Sequence, residues 1–100
     1  MILTIFRSRL KPDARAAYDP LAAKMSELAR TMPGYVSHKA FTADDGERVT
    51  IVEFETAEAQ RAWATHPEHR AAQKLGRAEF YSEYSLQICQ LKRESRKKAE

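Results

Sequence analysis

The run Tyr35-Val36-Ser37-His38-Lys39-Ala40-Phe41-Thr42-Ala43-Asp44-Asp45-Gly46-Glu47-Arg48-Val49-Thr50-Ile51-Val52-Glu53-Phe54-Glu55 decides the fold. Tyr35 to Thr42 reads as a strand. Asp44-Asp45-Gly46-Glu47 supplies a turn, because Asp-Gly tolerates the positive φ that tight hairpins require. Arg48 to Glu55 is then a second strand, antiparallel to the first. Val49, Ile51, Val52 and Phe54 put apolar groups on both of its faces, so both faces are expected to be covered.

Upstream, Pro33-Gly34 ends a helix whose stripe is Leu21, Met25, Leu28 and Met32, at i, i+4, i+7 and i+11. Asp13, after Pro12, is a candidate start. Pro20 falls inside this helix or opens a second segment with Asp19 as its cap. Before it, residues 2 to 10 are rich in β-branched and aromatic residues and read as a strand, with Ile2, Leu3, Ile5 and Phe6 apolar on both faces. Downstream, Thr56 caps a helix with Glu58 in its first turn. His66-Pro67 breaks that helix, Pro67 suits the first position of another, and Gly76 is its expected stop. Phe80 to Leu91 is the last strand, with Tyr84, Leu86 and Ile88 alternating on one face.

The order β-α-β-β-α-β, with the second helix split, is the ferredoxin-like arrangement of the α+β class: an antiparallel sheet with the helices on one face. The strands are nevertheless apolar on both faces. A second copy, packed sheet against sheet as a homodimer, is the simplest cover for the face without helices.

One hundred residues, 43% hydrophobic and 31% charged, fit one globular domain, expected over residues 1–91. Residues 92–100 hold five of the 17 basic and two of the 14 acidic residues. They read as a frayed basic tail with no apolar residue able to dock. The remaining twelve basic and twelve acidic residues leave the body neutral, which argues against nucleic acid as a partner. No apolar run approaches the ~20 residues that span a bilayer, and Met1 to Arg7 lacks signal-peptide features. The single cysteine, Cys89, cannot close an intrachain disulfide. With no membrane segment, the expected location is the reducing cytoplasm.

Chemistry concentrates between Glu53 and Arg77, which hold the only tryptophan, Trp63, and His66-Pro67-Glu68-His69. His66 and His69 would need His38 to complete a zinc site, and nothing in the sequence places it there, so no metal is expected. His66 reads better as a helix cap, and His69 as packing or hydrogen-bonding near Trp63. Cys89 has no basic neighbour in sequence to activate it. No serine sits in a Gly-x-Ser-x-Gly elbow, and three glycines make no phosphate loop. Aromatics remain: Trp63, Tyr81, Tyr84, Phe54 and Phe80 are candidates for a π-rich wall able to bind a planar ligand, with core packing the alternative, favoured for Phe54 and Phe80.

Four stretches carry a resemblance: Ile2 to Leu10 with Lys11-Pro12; Met32-Pro33-Gly34-Tyr35-Val36; Val52-Glu53-Phe54-Glu55-Thr56 leading to Ala62-Trp63; and His66-Pro67-Glu68-His69-Arg70-Ala71-Ala72-Gln73. Up to about Leu91 the chain resembles the antibiotic biosynthesis monooxygenase family of dimeric α+β barrels. The resemblance implies oxidation of a small aromatic or quinol-type compound by dioxygen, with no cofactor, the substrate anion supplying its own electrons. Trp63 matches a tryptophan common on that helix. Tyr84, His38 and His69 are candidates for handling the proton, and Tyr81, Phe54 and His66 for holding substrate beside Trp63. Haem-degrading members use a first-strand asparagine and a ligating histidine; Ser8 and Gln73 stand at those places here, and His69 lies one turn earlier, which puts haem in doubt. A non-catalytic protein that binds a small aromatic ligand on the same barrel is the alternative.

Overall fold

The computed structural model describes residues 1–99; Glu100, the last residue of the expected tail, lies outside them. Strands β1 (Ile2–Leu10), β2 (Tyr35–Thr42), β3 (Arg48–Phe54) and β4 (Tyr81–Gln90) form one antiparallel sheet in the order β2-β3-β1-β4. Helices α1 (Arg15–Arg30), α2 (Ala57–Ala64) and α3 (Pro67–Leu75) complete the ferredoxin-like α+β fold. No helix among the described residues is long and apolar enough to cross a membrane.

The β2–β3 turn forms as its Asp-Gly pair predicts. Gly46 takes φ +91°, and the Asp45 carboxylate accepts the Glu47 backbone N–H at 3.1 Å. The turn is also tied to β1, since Arg7 grips Glu47 through two hydrogen bonds of 3.0 and 2.8 Å, and Arg9 reaches Asp45 at 2.8 Å. At the end of α1, Gly34 takes φ +80°, and a Cβ there would stand 2.6 Å from the Ala59 methyl of α2. Glycine therefore serves both the turn and its close approach to α2.

Two local expectations need correction and a third needs refining. The first helix does not divide at Pro20. Pro20 and Ala16 both face solvent, so water can satisfy the Ala16 carbonyl that the proline leaves without a donor. Asp19 accordingly caps nothing and instead lies 4.0 Å from Arg15, one turn earlier. Asp13 does not cap the helix either: it takes φ 69° in the preceding turn, and Ala14 stands at the helix start. Finally, α3 ends at Leu75 with Gly76 as its cap, but not through the left-handed turn a glycine stop usually takes. Gly76 stays right-handed, and the chain widens into a π turn over Gly76–Phe80 before entering β4. The absent side chain is what matters there, since a Cβ on Gly76 would meet the Tyr81 ring at 2.5 Å.

The helices pack on the face that Phe54 shares with Val52, Thr50 and Arg48 of β3 and with Thr4 and Phe6 of β1. Two small cores form there. Ala29, Phe54 and Trp63 make one, with Met25, Leu28 and Met32 of the predicted stripe packed against it. Ala14, Tyr18 and Phe80 make the other. Residues 91–99 carry no helix or strand.

Candidate functional site

Between the two cores the helices stand away from the sheet and leave a cavity of about 240 Å³. At one end lies the bend between α2 and α3. Thr56 caps α2 by accepting the Ala59 N–H at 3.0 Å, and His66 caps α3 by accepting the Glu68 N–H on Nδ1 at 3.2 Å. The bend folds α3 back so that the His69 ring stacks on Trp63, with centroids 3.9 Å apart and planes 12° from parallel. His69 Nδ1 lies 3.0 Å from the Trp63 carbonyl oxygen. That oxygen only accepts, so Nδ1 carries the proton and neutral His69 keeps its free lone pair on Nε2. Burial depresses the His69 pKa below the usual 6.5, partly offset by this hydrogen bond, so the ring is neutral at pH 7.

His38 projects from β2 into the same cavity, with Nδ1 2.7 Å from the Tyr35 hydroxyl. Burial, reinforced by the charge of Arg30, lowers its pKa as well. At the other end an aromatic group closes the space: Phe6 meets Tyr81 edge-on at 5.3 Å and Tyr84 at 6.1 Å, while Tyr18 meets Phe80 at 6.1 Å. Burial and the nearby Tyr18 hydroxyl push the Tyr81 pKa far up, so its hydroxyl stays protonated. Tyr84 is 48% exposed and stands at the mouth.

The structure thus brings together Trp63, His69, His38, Tyr81 and Tyr84 around one space. It keeps two other candidates away from that lining. Phe54 is fully buried in the core beside Trp63, and His66 is occupied as the α3 cap. Among the described residues no three His, Cys, Asp or Glu side chains gather into a group able to hold a metal ion. Among the lining residues that the sequence reading did not single out are Thr4, Tyr18, Arg77 and Arg48. The period of two from Phe54 through Val52 and Thr50 to Arg48 was the available signal for the last of these.

A model of the antibiotic biosynthesis monooxygenase family matches residues 1–75. The uncharacterized protein YqjZ of Bacillus subtilis is 28% identical over 87 residues, covering 87% of this chain and 76% of the relative. Among solved structures, Rv0793 from Mycobacterium tuberculosis superposes with a TM-score of 0.84 at 20% identity, covering 95% of this chain and 98% of that one. SnoaB, a cofactor-independent oxygenase from Streptomyces nogalater, superposes with a TM-score of 0.77 at 18% identity, covering 93% and 94%.

Proposed function

The chain belongs to the antibiotic biosynthesis monooxygenase family, and from that premise we propose that it is a cofactor-independent monooxygenase of a small phenol or quinol. One observation carries the reading: a half-open cavity exists where Trp63, His69, His38 and Tyr84 converge, rather than a space filled by side chains. Its size limits the substrate. A hole of about 150 Å³ takes up benzene, and sites for drug-sized ligands begin near about 300 Å³. A cavity of about 240 Å³ therefore suits one or two fused rings.

In this reading His69 Nε2 takes the phenolic proton, and the stack on Trp63 holds the imidazole in place. The resulting anion gives electrons to dioxygen, and a C–O bond forms at a ring carbon. The C–H bond at that carbon and the O–O bond then break. One oxygen stays as the quinone carbonyl and the other leaves as water, carrying the phenolic proton and the ring hydrogen. The apolar walls exclude bulk water from the anion while it reacts.

Oxygen uptake with a panel of mono- and bicyclic phenols and hydroquinones tests the proposal, comparing the wild type with Trp63→Phe. The expected result is one dioxygen consumed per quinone formed for at least one compound, slowed in the variant. Tight binding of one compound with no uptake across the panel would replace the enzyme with a binding protein.

The reading includes a second copy of the chain. Opposite the helices, the central strands present Leu3, Ile5, Val49 and Ile51, and Phe41 beside them is 50% exposed. Covering this face is favourable at roughly 25 cal/mol per Å² of apolar surface. Sedimentation velocity is expected to give twice the 11.4 kDa chain mass, and Ile5→Asp to give the monomer. A wild type that sediments as a monomer at 100 µM would remove the dimer from the proposal.

A further inference from the structure

The cavity wall is electrically one-sided. Arg48 and Arg77 line it and no aspartate or glutamate does, although the body of the chain is neutral overall. Arg77 is exposed on the π turn, where it can draw anions towards the opening. Arg48 is the more telling of the two. Its Nε is shut off from solvent and has no hydrogen-bond partner, and no ion pair joins it to any described carboxylate. Its guanidinium lies 5.3 Å from the Tyr18 ring centroid, a cation–π contact that offsets only part of the lost hydration. A ligand oxygen cannot reach the sealed Nε, but the rest of a permanently charged guanidinium on a wall without a counter-charge favours an anionic partner. The protonated Tyr81 hydroxyl stands at the same end of the cavity.

Resting on the reading of this cavity as the aryl site, we propose that Arg48 binds the carboxylate of an aromatic hydroxy acid whose phenolic end points to Trp63 and His69. The Arg48 guanidinium on the wall away from the α2–α3 bend, with no described carboxylate paired to it and none among the lining residues, is the observation that carries it. A carboxylate is favoured over a second phenol because it is ionised throughout the neutral range, whereas a phenol near pKa ~10 is not. Its two oxygens also match the fork of a guanidinium. Register supplies the length. Val52, opposite Thr4, and Arg48, opposite Ser8, lie roughly 13 Å apart along the strand. That span leaves room for a bicyclic acid.

The test is calorimetric titration of the full chain with 6-hydroxy-2-naphthoate and with its neutral amide. The wild type is expected to bind the acid at least tenfold more tightly than the amide. Arg48→Gln should lose at least tenfold for the acid and stay within twofold for the amide, and Arg48→Lys should fall between. In the wild type, the Arg48 Nε–H resonance should shift on adding the acid but not the amide, a readout that needs no variant to fold. Equal affinity for acid and amide would overturn this inference and leave the aryl-site reading intact. So would a preference for the acid that survives Arg48→Gln. Binding of neither compound at millimolar concentration would overturn both.

Discussion

Replacing His69 with glutamine is expected to lower kcat/KM for a phenolic substrate by about 10²–10⁴-fold, the usual contribution of a positioned general base. Glutamine isolates proton transfer from packing, because its amide can still donate to the Trp63 carbonyl that His69 Nδ1 meets at 3.0 Å. What it cannot supply is a basic lone pair facing the substrate. The pH profile gives the sharper readout. Burial lowers the pKa of His69 beneath 6.5, so the wild-type kcat/KM should stay flat down to that pH and fall only further into acid. The titratable neighbours do not reverse this. His66 on the same bend lowers the pKa further, Glu68 is drawn towards Lys24 of α1 at 4.0 Å, and burial keeps His38 uncharged at pH 7. In His69→Gln the acid limb should vanish. A variant with an unchanged limb and a rate within threefold of the wild type would remove His69 from the reaction.

The same pKa displacement affects stability. With the folded pKa depressed, the unfolded chain takes up a proton on His69 first as pH falls below 6.5. The folded state therefore loses stability below that point, and His38 adds to the loss in the same direction. Circular dichroism at each pH separates this loss from protonation of the base.

The hairpin from Tyr35 to Phe54 was legible because one local rule, the Asp-Gly turn, fixes the pairing of two strands and with it the identity of each face. From Phe54 inward, parity alone assigns Val52, Thr50 and Arg48 to the helix side. Parity does not by itself mark Arg48 as functional, because a charged residue at the start of a strand commonly faces water. Tyr18 was missed for a different reason. It lies one turn before Leu21 on the same stripe, but Pro20 between them suggested a break. That His69 packs and hydrogen-bonds near Trp63 was legible from the break at His66-Pro67; the parallel stack itself lies beyond any periodicity, since it depends on how far α3 folds back. Gly76 shows the converse limit. A glycine near a helix end looks like a stop, but the further need here is space for the ring of Tyr81, and only the packing reveals that.

Phe54→Ala is expected to be the most damaging truncation in the chain for stability, at about 3–5 kcal/mol. Among the described residues Phe54 is the one large side chain with no exposure at all, and it joins Ala29 of α1 to Trp63 of α2 on the sheet. Tyr35 meets its ring edge-on at 6.3 Å, a contact worth about 0.5–1.5 kcal/mol beyond the area buried. Three elements converge on this ring, and the turn after α1 is already pressed against α2 at Gly34 and Ala59, so the void has little room to collapse. A domain of this size has a total stability near 5–15 kcal/mol, and each kcal/mol is worth about 4–8 °C in Tm. Urea unfolding followed by the fluorescence of Trp63, the sole tryptophan, checks the figure directly. A loss below about 1 kcal/mol, less than the cost of typical large-to-small core truncations, would mean that the ring abuts open space rather than closed packing. Phe54 would then return to the cavity wall as a substrate contact. A loss in the expected range instead makes Phe54 the fixed base that holds Trp63, and through it His69, in position.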